Sequence, residues 1–199
     1  MRYLSFDLEA TGLEEDAQII EFAMIPFDTE DFTLNHQLEK QFYVKCPSFE
    51  KLEANLSSWV KEHNKELIQK AHQQGVSTEN FKKILEDYLH SKEVQDYFGG
   101  QRVVLFGKSI SAIDLPFLNR DLGWEWMNTH FHHRNLDLSS FTLGLIDMGF
   151  LEKGMDSGAR LMKHLEMGEV LHTALEDAQN TAIMYLKLLR KYGKHVKQA

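Results

Sequence analysis

Through the first third of the chain, apolar residues alternate with polar ones or gather in short β-branched and aromatic runs. Tyr3 to Leu8, Gln18 to Phe27 and Lys40 to Lys45 each carry the pattern of a strand. Thr11-Gly12 and the polar stretch Asp28 to Asn35 separate them, so three sequential strands predict an antiparallel meander. The period then lengthens. A helix is expected from Leu56 to His72, Gly75 stops it, and a second helix follows from Glu79 to His90 with Phe81, Ile84, Leu85, Tyr88 and Leu89 on one stripe. Val103 to Phe106 predicts a short buried strand, Ala112 to Arg120 a short helix, and Asn135 to Leu138 a last strand. A further helix from Ser139 and a long one after His172 complete the pattern. This order predicts an α/β fold with a mixed β-sheet flanked by helices. Internal repeats, low-complexity tracts and Pro/Gly/Ser linkers are absent, which predicts a single domain over residues 1–199.

Within the first strand, Leu4, Phe6 and Leu8 alternate with Ser5, Asp7 and Glu9, so Asp7 and Glu9 share a face. Two adjacent carboxylates repel unless solvent or a cation compensates, and hard divalent cations favour such oxygens. On spacing alone, the commoner reading is a solvated strand end. The C-terminal segment shifts the balance. Thr173 and Glu176 form a capping box that starts a helix just behind His172 and places Asp177 about one turn in. Asp114 interrupts an otherwise apolar stretch, Ile113 to Leu118.

Composition narrows the chemistry. With 22 Lys plus Arg against 30 Asp plus Glu, the net charge of -8 argues against wrapping duplex DNA through many phosphates. The lone Cys46 rules out a disulfide framework and a thiolate metal cluster, leaving oxygen and imidazole ligands. No apolar run approaches the roughly 20 residues of a membrane span, and Asp7 and Glu9 come too early for a signal-peptide core. A soluble, cytoplasmic protein is expected. His130, His132 and His133 beside Arg134 would suit Zn²⁺, but alternating histidines without cysteine more often mark a polar edge. Met148, Met155, Met162 and Met167 read as gap-filling core, and Lys187, Arg190, Lys191, Lys194 and Lys197 as a solvated helix end.

Taken in order, the run from Phe6 to Leu13, then Asp114 with Phe117-Leu118, then His172 with Asp177 five residues on, resemble the three exonuclease motifs of the DEDDh family. That family includes oligoribonuclease, ribonuclease T and the proofreading subunit of replicative polymerases. The resemblance implies a ribonuclease H-like fold and a 3′ to 5′ exonuclease that releases nucleoside 5′-monophosphates using two divalent metal ions, Mg²⁺ or Mn²⁺. Asp7, Glu9, Asp114 and Asp177 would be the metal ligands, and His172 the general base. Substrate would meet Thr11, Leu13, Ser109, Arg134 and Ser139, with Leu13 wedged between terminal bases and Arg134 and Ser139 on the 5′ phosphate of a very short RNA. The segment Phe131 to Ser140 looks like oligoribonuclease, whereas Leu161 to Leu189 looks more like the proofreading branch. Expected partners are the 3′ ends of single-stranded RNA or DNA and short oligonucleotides, with a homodimer or a polymerase-associated subunit as the assembly. A DNA exonuclease, or a catalytically silent binding module, are the alternatives. His133 stands where the family has tyrosine, which implies a softer length limit.

Overall fold

The computed structural model describes residues 1–168 and 173–196. Strands β1 (Arg2–Ala10) and β2 (Ile19–Asp28) pair antiparallel, with Asp7 opposite Ala23 and Glu9 opposite Glu21. β3 (Thr33–Leu34) and β4 (Lys40–Tyr43) share the outer edge of β2, both antiparallel to it. The expected meander is therefore present as β1, β2 and β4, while β3 is an unforeseen two-residue strand inside the polar separator Asp28 to Asn35. Lys40 to Lys45 shortens to end at Tyr43, since Val44 contributes only an isolated bridge to Val76.

Five helices follow: α1 (Phe49–Leu52), α2 (Ser58–His63), α3 (Lys65–Gln74), α4 (Thr78–His90) and α5 (Lys92–Phe98). The single helix expected from Leu56 to His72 is thus two. Asn64 breaks it, leaving the helical region at φ -106°, ψ 7° and sending its buried side-chain amide to the Ala10 carbonyl (3.4 Å). α1, at four residues, is too short to register as a period. α5 is framed by non-apolar signals, the Ser91 cap and left-handed Gly99 at φ 64°. β5 (Leu105–Gly107) runs parallel to β1 on its other side, and β6 (Leu136–Asp137) runs parallel to β5. Between and after them lie α6 (Asp114–Leu122), α7 (Trp124–His130), α8 (Leu138–Asp147), α9 (Gly158–His164) and α10 (Ala174–Val196). α7 and α9, seven residues each, were not foreseen.

The sheet order β3-β2-β1-β5-β6, with β4 beside β2, makes β1 central. Its alternation separates two cores. Leu4, Phe6 and Leu8 pack with Phe22 and Met24 against Phe81, Leu85 and Leu89 of α4. From the opposite face, Tyr3, Phe27 and Phe106 pack against Ala182, Tyr185 and Leu186 of α10. A Cβ on Gly107 would collide with Ile110 and the Phe6 carbonyl, so glycine lets the turn after β5 lie close to β1. Among the methionines, Met155, Met162 and Met167 pack at the core's margin, but Met148 is exposed at the C-cap of α8. In the basic run on α10, Arg190 and Lys191 are exposed, as expected of a solvated helix end, with Arg190 over the Phe32 ring, whereas half-buried Lys187 donates its Nζ to the Leu165 carbonyl (2.8 Å). The Lys194 and Lys197 side chains lie outside the described residues. No described helix is long and apolar enough to cross a membrane.

Candidate active site

The face of β1 that carries Tyr3, Ser5, Asp7 and Glu9 is the face α10 covers. Ala174, Ala178 and Ala182 are fully buried along one seam of that helix, small enough to bring its backbone near the sheet. The contact is anchored by Ser5 Oγ, buried and donating to the Ala178 carbonyl at 2.7 Å. Helix start is set where the sequence placed it, with the Glu176 amide donating to Thr173 Oγ1 (3.3 Å) and the Asp177 amide to the Thr173 carbonyl (2.9 Å). Asp177 is thereby carried over the acidic end of β1. Carboxylate oxygens of Asp7, Glu9 and Asp177 lie within 4.8 Å of one another. Ala23 opposite Asp7 is small and fully buried.

Asp114 arrives from the loop after β5 as the first residue of α6 and is 4% exposed. All four acids line one cleft of about 930 Å³, whose other wall is α9 with Gly158, Met162 and Lys163. Lys108 and Ser109 also line it.

Four carboxylates in a sheltered cleft cannot all ionise freely. Burial, then the charges of Asp114, Asp177, Glu9 and Glu21, hold Asp7 well above the ordinary carboxylate range. Burial and then Asp177 push Glu9 up to about 7, against a lowering hydrogen bond from Asn64. Asp114 is pushed up to about 7 by burial, although its own amide and that of Leu8 donate to it. A bound divalent cation would relieve the repulsion that protons otherwise relieve in such a cluster. The donors are all carboxylates, the set that suits Mg²⁺ or Mn²⁺.

The remaining expected site residues fall in different places. Ser109, in the left-handed region at φ 58°, faces the cleft, and its Oγ is 2.8 Å from Ser139 Oγ. Leu13 is 76% exposed and borders a neighbouring hollow with Ile113, Pro116 and Phe117, which joins the carboxylate cleft at Ile113. Thr11 is buried, its Oγ1 accepting from the Gln18 amide (2.9 Å) to close the β1–β2 turn. Arg134 is exposed and does not line the cleft. His172 lies outside the described residues.

Four contributors escaped the sequence reading. Glu21 is 1% exposed, accepting from Gln41 Nε2 (2.6 Å) and from the Ala174 amide (3.2 Å), which ties β2 to the first turn of α10. Its signal was a lone carboxylate inside the apolar run Ile19 to Ile25. Asp137 caps α8 through the Ser139 and Ser140 amides and also accepts from the Ser109 and Ser111 amides, shaping the loop that delivers Asp114. Lys108 and Lys163 bring cations to the acidic cleft. Nothing local distinguished them from other surface lysines.

A search of curated protein sequences finds no match. Among solved structures, this chain is similar to the zinc-bound form of E. coli exonuclease I with single-stranded DNA, at TM-score 0.71 and 15% identity over 99% of this chain and 42% of that one. It is also similar to cell-death related nuclease 4 (TM-score 0.67, 14% identity, 96% of this chain and 64% of that one). A third similarity is to a 3′-exonuclease recognising the 3′ end of a histone mRNA stem-loop (TM-score 0.60, 13% identity, 96% and 82%). This chain therefore spans less than half of exonuclease I. Its mixed sheet flanked by helices is the ribonuclease H-like arrangement of these nucleases. Residues 4–185, from the strand bearing Asp7 and Glu9 to the helix bearing Asp177, match the RNase_T exonuclease description, and the chain belongs to that exonuclease family.

Proposed function

We propose that this protein is a 3′ to 5′ exonuclease that hydrolyses single-stranded RNA or short oligonucleotides to nucleoside 5′-monophosphates, with residues 1–199 as one catalytic domain. The observation that carries the reading is the convergence of Asp7, Glu9, Asp114 and Asp177, from three separate elements, on one cleft. Asp7, Glu9 and Asp177 would hold one divalent cation and Asp7 with Asp114 a second, Mg²⁺ or Mn²⁺. Two such ions supply an activated water nucleophile, charge neutralisation on the phosphate and stabilisation of the leaving 3′ oxygen.

The protein's own groups do the rest. His172 would accept the proton of the attacking water, as a neutral imidazole can. Lys108 and Lys163 face the anionic backbone from the cleft walls. Exposed Leu13, with Ile113 and Phe117 behind it, offers an apolar platform for the terminal base. Thr11 holds the β1–β2 turn that presents Leu13. Arg134 and Ser139 grip the 5′ phosphate of a very short RNA, Ser139 from its place against Ser109. The second reading is a DNA exonuclease, favoured by the likeness to exonuclease I in its single-stranded DNA complex.

The deciding experiment follows product release from matched RNA and DNA oligomers of graded length. Mononucleotides should leave from the 3′ end, excess EDTA should abolish the reaction, and Mg²⁺ or Mn²⁺ should restore it. Full turnover in EDTA would reject the two-ion reading. Metal-supplemented inactivity on every strand, with binding retained, would make the chain a nucleic-acid-binding module.

A further inference from the structure

A second convergence of metal-ligating side chains lies where α4 meets α7, among residues that take no part in the carboxylate cleft. Glu86 and His90 stand four residues apart on α4, hence on one face, and His130 ends α7. Each offers one donor atom, and the three atoms lie within 4.8 Å of one another.

His130 is held ready to ligate. Its Nδ1 lies 2.9 Å from the Trp126 carbonyl oxygen, which can only accept, so Nδ1 carries the proton and Nε2 presents its lone pair. The Trp126 ring stacks on the same imidazole at 4.2 Å and 25°, fixing its plane. Nε2 then faces Glu86 Oε1 at 3.9 Å, and the centroids of the His90 and His130 rings are 5.5 Å apart. His132 and His133 are otherwise engaged: their rings stack at 4.4 Å, and His132 Nδ1 accepts from the Arg134 amide. The histidine-rich segment therefore contributes one ligand rather than three.

We propose that Glu86, His90 and His130 bind one divalent transition-metal cation, Zn²⁺ by donor set, which clamps α4 to α7 away from the carboxylate cleft. Two imidazole nitrogens and one carboxylate oxygen suit Zn²⁺ and leave a fourth position for water, whereas Mg²⁺ prefers oxygen alone. Bonds of about 2.0–2.1 Å in tetrahedral geometry place ligand atoms roughly 3.3 Å apart. The 3.9 Å separation needs only a small closure. Glu86, 47% exposed, and exposed His90 have the rotamer freedom to make it, while His130, 10% exposed, stays in place. The proposal is independent of the nuclease reading.

The test titrates Co²⁺, then Zn²⁺, into wild type, His90→Ala, Glu86→Gln and Asp7→Asn, with Mg²⁺ in excess throughout. Wild type and Asp7→Asn should each show the intense visible bands of a four-coordinate, nitrogen-ligated Co²⁺ site, bleached by one equivalent of Zn²⁺. His90→Ala should lose the bands and bind at least about tenfold more weakly. Zn²⁺ should raise the melting temperature of wild type and Asp7→Asn but not of His90→Ala. Both changed α4 positions are solvent-accessible, so folding should survive, as melting without added metal would verify. Absent bands in wild type, or unchanged binding by His90→Ala and Glu86→Gln, would overturn the proposal. Loss of the bands in Asp7→Asn would move the ion to the carboxylate cleft and overturn it equally.

Discussion

Replacing Glu9 by glutamine should stabilise the metal-free protein at alkaline pH and do little at acidic pH. Folding lifts Glu9 from an ordinary 4.5 to about 7, through burial first and the neighbouring Asp177 and Glu21 next. At 1.36 kcal/mol per tenfold in proton affinity, this corresponds to about 3 kcal/mol. The folded state holds the Glu9 proton more tightly than the unfolded state does, so stability falls as pH rises from about 4.5 to about 7, and the cost is complete above that window. Glutamine cannot ionise and escapes the cost. It also exchanges a charge-assisted hydrogen bond from Asn64 for a neutral one, which leaves a net gain of about 2 kcal/mol. For a chain this size, that gain amounts to about 4–8 °C in melting temperature at pH 8, shrinking to under about 2 °C at pH 5. Thermal melts of wild type and Glu9→Gln in EDTA at both pH values make the measurement. Added Mg²⁺ should then narrow the difference at pH 8, because wild type gains a ligand that the variant has weakened. A variant no more stable than wild type at pH 8, or equally stabilised at pH 5, would refute the account of a frustrated carboxylate cluster.

Other outcomes are expected. His172→Ala should lower turnover by roughly 10²–10⁴, with partial rescue as pH rises and with metal affinity, read by titration calorimetry, little changed; an equal fall in metal affinity would make His172 a ligand. Asp137→Ala strands four amides that its carboxylate now satisfies, and urea denaturation should show a loss of about 2–4 kcal/mol, with retention of wild-type stability counting against its organising role. Arg134→Ala should flatten a preference for two-to-five-nucleotide RNA while sparing the maximal rate, read as kcat/KM against oligomer length at fixed salt. A rate that climbs steadily with length in both proteins would instead favour a general single-strand exonuclease.

The amino-acid pattern alone determined the features that depend on local period. Alternation in Arg2–Ala10 assigned Leu4, Phe6 and Leu8 to one face and Asp7 and Glu9 to the other, since strand geometry leaves no other choice. Thr173 and Glu176 marked the start of the helix bearing Asp177 because a cap is a local hydrogen bond. The motif order was legible too, and with it the family. Elements set by distant contacts were not. Asn64 breaks a helix whose apolar period runs straight through it, because its amide reaches the Ala10 carbonyl across the fold. Glu21 serves a helix terminus more than 150 residues away. The pairing of Glu86 and His90 with His130 needed α4 and α7 docked side by side before the histidine-rich segment could be sorted. Hydrophobic period is read within a few residues, whereas convergence of charged side chains depends on how layers stack, and the tertiary structure alone decides that.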